Sequence, residues 1–221
     1  MQKSAAARSV RAESRGASRG AGAPGDSRID SLDTLLVEQL RDIYDSERRL
    51  TKAIPKLVKA ATNEDLSSAL ENHLRETEQQ VTRIERAFGM LGEPVRAKAC
   101  AGMRGIIEEA DEHVGENYEF DSLRDAVIIG AAQRTEHYEI AAYGTAIAHA
   151  RLLGRDDVAD LLEESLAEEK AADEKLSEVA ETCVNMEAIS GEDEDAESED
   201  RPERPSRGVS NGARARSTRT R

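Results

Sequence analysis

Apolar residues recur at alternating spacings of three and four along several stretches of this chain, each longer than an ordinary strand. Leu36, Leu40, Ile43, Glu47, Leu50, Ile54 and Leu57 hold one face of a helix in this way. Ile129, Ala132, Glu136, Glu139, Tyr143 and Ala146 form a second such series, and Val158, Leu162, Ser165, Glu169, Ala172, Leu176 and Val179 a third. Stripes of this kind must bury themselves against one another, so the expected fold class is all-α, a bundle of long amphipathic helices. The 3% aromatic content, the absence of Trp and the wealth of Ala, Leu, Glu and Arg agree with this, since sheets draw on β-branched and aromatic residues.

Caps and breakers delimit five helices. Asp30 or Ser31 caps the first, which runs to about Thr62 with Pro55 as an expected kink. Asn63 opens a second, closed by Gly89, Gly92 and Pro94. A short third helix, Ala97 to Glu116, places Cys100, Met103, Ile107, Ala110 and Val114 on one face. Asp121 or Ser122 caps the fourth, which ends at Gly154, and Asp156 starts a fifth that fades near Gly191. Short loops make the first and last pairs antiparallel hairpins. The second and fourth helices are instead separated by about 30 residues, enough for the long crossover that sets ferritin-like bundles apart from up-and-down ones.

Residues 29–190 are therefore read as a four-helix bundle whose crossover carries the short fifth helix. Residues 1–28 offer almost nothing to bury and read as a disordered basic arm. Residues 191–221, acidic and then Arg-rich, read as a second solvated tail, with contact to nucleic acid or a partner as the alternative for both. The formal charge of −14 disfavours nucleic-acid binding by the folded part, which would need a basic surface. No apolar run approaches the ~18 to 20 residues that cross a bilayer, and no signal-peptide core is visible, so a cytoplasmic protein is expected. Cys100 and Cys183 read as ordinary thiols.

The seams carry charges that need explaining. Glu47 interrupts the first, Glu136 and Glu139 the fourth, and Glu169 the fifth, each near mid-helix. On the second helix the apolar stripe Leu66, Leu70, Leu74, Val81, Ile84 and Phe88 leaves Glu76 on a flanking face with Ala69, His73 and Gln80. A single inward Glu is ordinarily the partner of a buried Arg. Several converging at one level are different, because each unpaired buried carboxylate costs several kcal/mol, and arginines such as Arg83 and Arg134 are too few and too scattered. Two divalent cations would neutralise the set, and carboxylate oxygens suit iron or manganese.

The segments DIYDSERRL, HLRETEQQVTRIE, AAQRTEHYEIAAYGTA and LAEEKAADEKL resemble the ferritin-like proteins of the YciE/YciF type, and the likeness runs from Leu36 to Val179. The resemblance implies a metal centre in which Glu47 and Glu136 fill single-glutamate roles, with Glu139 an additional carboxylate one turn on. Glu76 and Glu169 fill the remaining glutamate roles. The ferritin-like motif wants His three residues after each of the last two, where this chain has Gln79 and Ala172. Asp173 is the expected substitute, whereas His73 and His137 stand at other offsets and read more simply as packing or surface residues. The resemblance further implies a stress-associated role and a di-iron or di-manganese oxidoreductase of ferroxidase or peroxide-consuming type. The alternative is a non-catalytic bundle that assembles as a homodimer or docks partners.

Overall fold

A computed structural model of the chain describes residues 29–191, and the expected basic arm and the tail from Glu192 onward lie outside the described residues. The order is α1 (Leu32–Ala60), α2 (Glu64–Leu91), α3 (Ala101–Val114), α4 (Asp121–Leu152) and α5 (Asp156–Val179). A π-helical turn (Ala180–Val184) and α6 (Asn185–Ser190) continue α5, and no strand occurs among the described residues.

Local chemistry explains most boundaries. Ser31 and Thr34 form a reciprocal capping box at the start of α1, and the Asn63 side chain accepts from the Leu66 amide at the start of α2. α2 ends at Gly92, whose φ of 69° is left-handed. Pro55 does not break α1; its ring faces solvent, where water can satisfy the carbonyl it deprives of a donor. α4 begins with Asp121 as its first helical residue, and the capping position falls to Phe120, which offers no side-chain acceptor.

α3 starts four residues later than expected. The Lys98 amide donates to the Arg41 carbonyl (3.0 Å) and the Cys100 amide to Asp45 Oδ2 (2.8 Å), so this stretch is pinned along α1 rather than wound into a helix. The Cys100 thiol then caps α3 by accepting from the Met103 amide.

Cross-helix pairs fix the topology. Gln39 meets His149, Glu47 meets Tyr143 and Thr62 meets Asp125, so α1 and α4 are antiparallel. Asn63 meets Cys183 and Gln80 meets Glu168, so α2 and α5 are antiparallel too. With α1–α2 and α4–α5 joined as hairpins, α2 and α4 must run parallel, and the intervening segment climbs the length of the bundle. This is the long crossover of the ferritin-like arrangement. Among the described residues, α3 lies across α1 and α4 and not over the α2–α5 side.

The core is layered. One apolar plug, centred on Leu36, Leu40, Ile84, Phe88 and Leu162, closes one end. A second, centred on Ile54, Leu66, Leu70, Ile128 and Leu176, closes the other. Between them lies a waist of buried polar side chains, among them Glu47, His73, Thr77, Gln80, Glu136, Glu139 and Glu169.

Candidate metal centre

Each of the four long helices sends polar groups into the waist. α1 contributes Ser46 and Glu47, α2 His73, Thr77 and Gln80, α4 Glu136, Glu139 and Tyr143, and α5 Ser165 and Glu169. One donor atom from each of His73, Glu136, Glu139 and Glu169 lies within 4.8 Å of the others. His73 Nε2 is 3.4 Å from Glu136 Oε1 and 3.9 Å from Glu169 Oε2. Glu47 stands beside this group, near enough that its charge acts on both Glu136 and Glu139.

Several of these carboxylates are held by one oxygen. Tyr143 donates a short hydrogen bond to Glu47 Oε1, Ser46 donates to Glu139 Oε1 at 2.9 Å, and Gln80 Nε2 donates to Glu169 Oε1 at 2.5 Å. The second oxygens of Glu47, Glu139 and Glu169, with Glu136 Oε2 and both ring nitrogens of His73, are buried without a hydrogen-bond partner. Leaving one such atom dry costs about 1 to 3 kcal/mol, and more for a charged group, so six orphans at one level call for a shared partner. A cation would satisfy the four oxygens together with one ring nitrogen, since a neutral imidazole offers a single lone pair.

The electrostatics agree. Burial raises the Glu47, Glu136 and Glu139 carboxyls well above the ordinary value of 4.5, and the neighbouring acids raise them further. Arg83, which does act on Glu47, is already held by Glu168 at 2.5 Å and by Glu164 at 3.3 Å. Arg134 is turned to the surface, 3.7 Å from Glu109 and donating to the Gly130 carbonyl at 2.9 Å. The donor set is four carboxylates and one imidazole, a combination suited to first-row divalent ions and too hard for a thiolate-loving one.

Of the six residues expected as ligands, Glu47, Glu136, Glu139 and Glu169 converge. Glu76 stands at the edge, its side chain 38% exposed and its Oε2 3.7 Å from His73 Nδ1. Asp173 lies outside the cluster, where it accepts from Gln133 Nε2 at 3.3 Å and is 3.6 Å from the exposed His137. The imidazole comes from His73, which sequence reasoning had set aside as a packing residue. The signal was present: His73 and Glu76 are three apart, the spacing of Glu-x-x-His read backwards. Gln80 was likewise visible on the right face, without a hint that its amide would hold Glu169.

The family model described as a domain of unknown function, DUF892, matches residues 31–189. This chain belongs to the DUF892 family. Protein YciF of Escherichia coli K12 is 42% identical over 161 residues, which are 72% of this chain and 96% of YciF. The crystal structure of YciF, described as a stress protein, superposes with a TM-score of 0.68 over 71% of this chain and 99% of that one. YcfI of Rhodopseudomonas palustris is 46% identical, with a TM-score of 0.66 over 67% of this chain and 94% of its own. A Xanthomonas campestris protein at 22% identity, TM-score 0.57, shares the fold across 72% of this chain and 97% of its own. No described helix is long and apolar enough to cross a membrane.

Proposed function

We propose that this DUF892 protein is a di-metal carboxylate protein holding two iron or manganese ions, and that it consumes peroxide or O2, or oxidises Fe(II), under stress. The observation that carries the reading is the set of orphaned groups: four carboxylate oxygens and the His73 ring, all buried without a hydrogen-bond partner. Glu136, Glu139, Glu169 and His73 would form the core of the ligand set, with Glu47 as a further carboxylate. Bound there, two such ions would supply the redox chemistry that reduction of peroxide or O2 requires.

The chain's own residues do the positioning. Tyr143, Ser46 and Gln80 each fix one oxygen of a glutamate and so aim the other. The Tyr143 phenol, whose ionisation burial and then the Glu47 charge push well upward, remains a donor at neutral pH. The apolar plugs above and below exclude bulk water and keep the acids in a medium of low dielectric.

The stress role leans on the description of YciF. A cytoplasmic location accords with two free cysteines, and a homodimer is the assembly we expect. A second reading, a non-catalytic structural bundle, is favoured by one observation, the structural role suggested for YcfI. Elemental analysis after anaerobic reconstitution with Fe(II) and Mn(II) separates them. About two ions per chain supports the metal reading on the donor count; less than one favours the structural bundle.

A further inference from the structure

The waist is not equally closed on its two flanks. On the flank covered by α3, the space beside His73 and Glu136 amounts to about 20 Å³ and is walled by apolar side chains such as Leu50, Ile54 and Ile107. Between α2 and α5 a cavity of about 170 Å³ runs in to the same two residues. Small side chains leave it open there, Ala69 on one wall and Ala171 and Ala172 on the other. It is large enough for a cation that still carries several waters.

The polar groups of this groove are arranged from outside to inside. Glu76 stands at the mouth, half exposed, with Oε2 3.7 Å from His73 Nδ1. The other nitrogen of the same ring, Nε2, is 3.4 Å from Glu136 Oε1 in the waist. Both nitrogens are buried and neither has a hydrogen-bond partner. Lys175, the lysine among the described residues lining the groove, is hydrogen-bonded to Glu178 at 2.9 Å, so its charge is compensated and the mouth remains acidic.

We infer that the α2–α5 groove is the route by which hydrated divalent cations load the centre, with Glu76 capturing the ion at the mouth and His73 bridging the mouth to Glu136. The inference rests on the metal reading above and assigns Glu76 a different task from the interior glutamates. A carboxylate in water loses little by binding and releasing an ion, whereas one in the dry waist releases it slowly. Acidic residues at the mouth of a low-dielectric cleft also raise the local cation concentration, an effect that weakens with salt.

The test uses the full chain, stripped of metal by chelator and mixed with Co(II) in a stopped-flow spectrometer, with final stoichiometry measured separately. Glu76→Gln removes the charge at the mouth, Ala172→Leu fills the groove, and Ala110→Leu fills the opposite, apolar flank. The expected result is loading slowed about tenfold by the first two and unchanged by the third, with equal final stoichiometry in all. Added salt should slow the wild type more than Glu76→Gln. Wild-type rates in both groove variants, or slowing by Ala110→Leu alone, would overturn the route. Loss of bound Co(II) at equilibrium in Glu76→Gln would make Glu76 a resident ligand and overturn its role as a capture site. A wild-type chain that binds no Co(II) at equilibrium would instead remove the metal reading, and the route with it.

Discussion

The plugs and the waist are built from the same four helices in the same register, yet they do opposite things to the fold. In the plugs, side chains such as Leu40, Leu66, Ile84 and Phe88 are fully buried among apolar neighbours, and each contributes about 1.5 to 3 kcal/mol by leaving water. In the waist, side chains of similar size are buried just as completely, but they carry orphaned oxygens and nitrogens. The plugs therefore hold the molecule together while the waist strains against it, and a single helix such as α1 passes through both regimes within three turns, from Leu40 through Glu47 to Leu50. The difference teaches that stability and site are separable here, and that each can be changed with the other as control.

The largest effect belongs to the plugs. Phe88 is fully buried and packs edge-on against Tyr44, with ring centroids 6.1 Å apart. Phe88→Ala is expected to cost about 3 to 5 kcal/mol, equally in the presence of chelator and of Mn(II). Chemical denaturation under both conditions checks this. A loss seen only in the metal-loaded protein would show that plug and waist are not independent.

Metal should act on the waist alone, with an effect nearly as large. A ligand at about 1,000 times its dissociation constant stabilises a fold by about 4 kcal/mol, so saturating Mn(II) should raise the melting temperature strongly. Glu136→Gln should abolish most of that rise. It should leave the apo-protein no less stable, because one of several mutually repelling acids becomes neutral. If instead Glu136 were a structural ion-pair partner, its removal would destabilise the apo-protein by about 3 to 5 kcal/mol and leave metal affinity alone. Denaturation with chelator, beside a metal titration, distinguishes the two outcomes.

How the sequence revealed this division depends on what interrupts each stripe. On α1, α4 and α5 the interruption is a carboxylate, the least expected residue in an apolar seam, so Glu47, Glu136, Glu139 and Glu169 stood out. On α2 it is no carboxylate: His73, Thr77 and Gln80 occupy the buried positions between Leu70 and Ile84. A stripe drawn through the apolar residues alone passes through Leu74 and Val81, which are only partly buried, and so turns the helix by about one residue, or 100°. Glu76 was expected from the ferritin-like motif and not from the stripe, and His73 was read as a packing residue because it stands at another offset. Asp173 was proposed to fill a vacancy in a motif, and no periodicity pointed to it. The crossover was legible from chain length. The late start of α3 was not, because it depends on hydrogen bonds from Lys98 and Cys100 to α1.

The protonation of the waist gives a smaller and graded effect. Glu47, Glu136 and Glu139 hold their protons to higher pH in the folded chain than the ordinary carboxyl value of 4.5, chiefly because burial opposes their charge. Between that value and their raised ones, the folded apo-protein binds more protons than the unfolded chain, so its stability falls as pH rises through the window. Each group contributes a slope of at most about 1.4 kcal/mol per pH unit. Well below pH 4.5 the groups are neutral in both states and their contribution is level. Bound metal displaces the protons, so the loaded protein should lose this slope. Thermal melts of apo- and Mn(II)-loaded protein across this range check the prediction, and an apo-protein that gains stability with rising pH would contradict it.

The smallest effect is expected at Asp173, where the boundary of the waist can be drawn most finely. Its position four residues after Glu169 on α5 puts it one turn along, but its side chain is directed to Gln133 and His137 and is 23% exposed. An ion pair this accessible, with His137 69% exposed, contributes about 0 to 1 kcal/mol, and the hydrogen bond from Gln133 survives replacement by an amide acceptor. Asp173→Asn is therefore expected to shift stability by no more than about 0.5 kcal/mol and to leave metal stoichiometry and affinity unchanged. A ligand would behave otherwise, because replacing a charged donor by a neutral one weakens a hard divalent ion even where the shape is kept. Titration of Glu169→Gln and Asp173→Asn side by side makes the comparison internal to one helix. A loss of affinity in both would extend the waist by a turn toward α4's outer face, whereas a loss in Glu169→Gln alone confines the centre to the layer between the plugs.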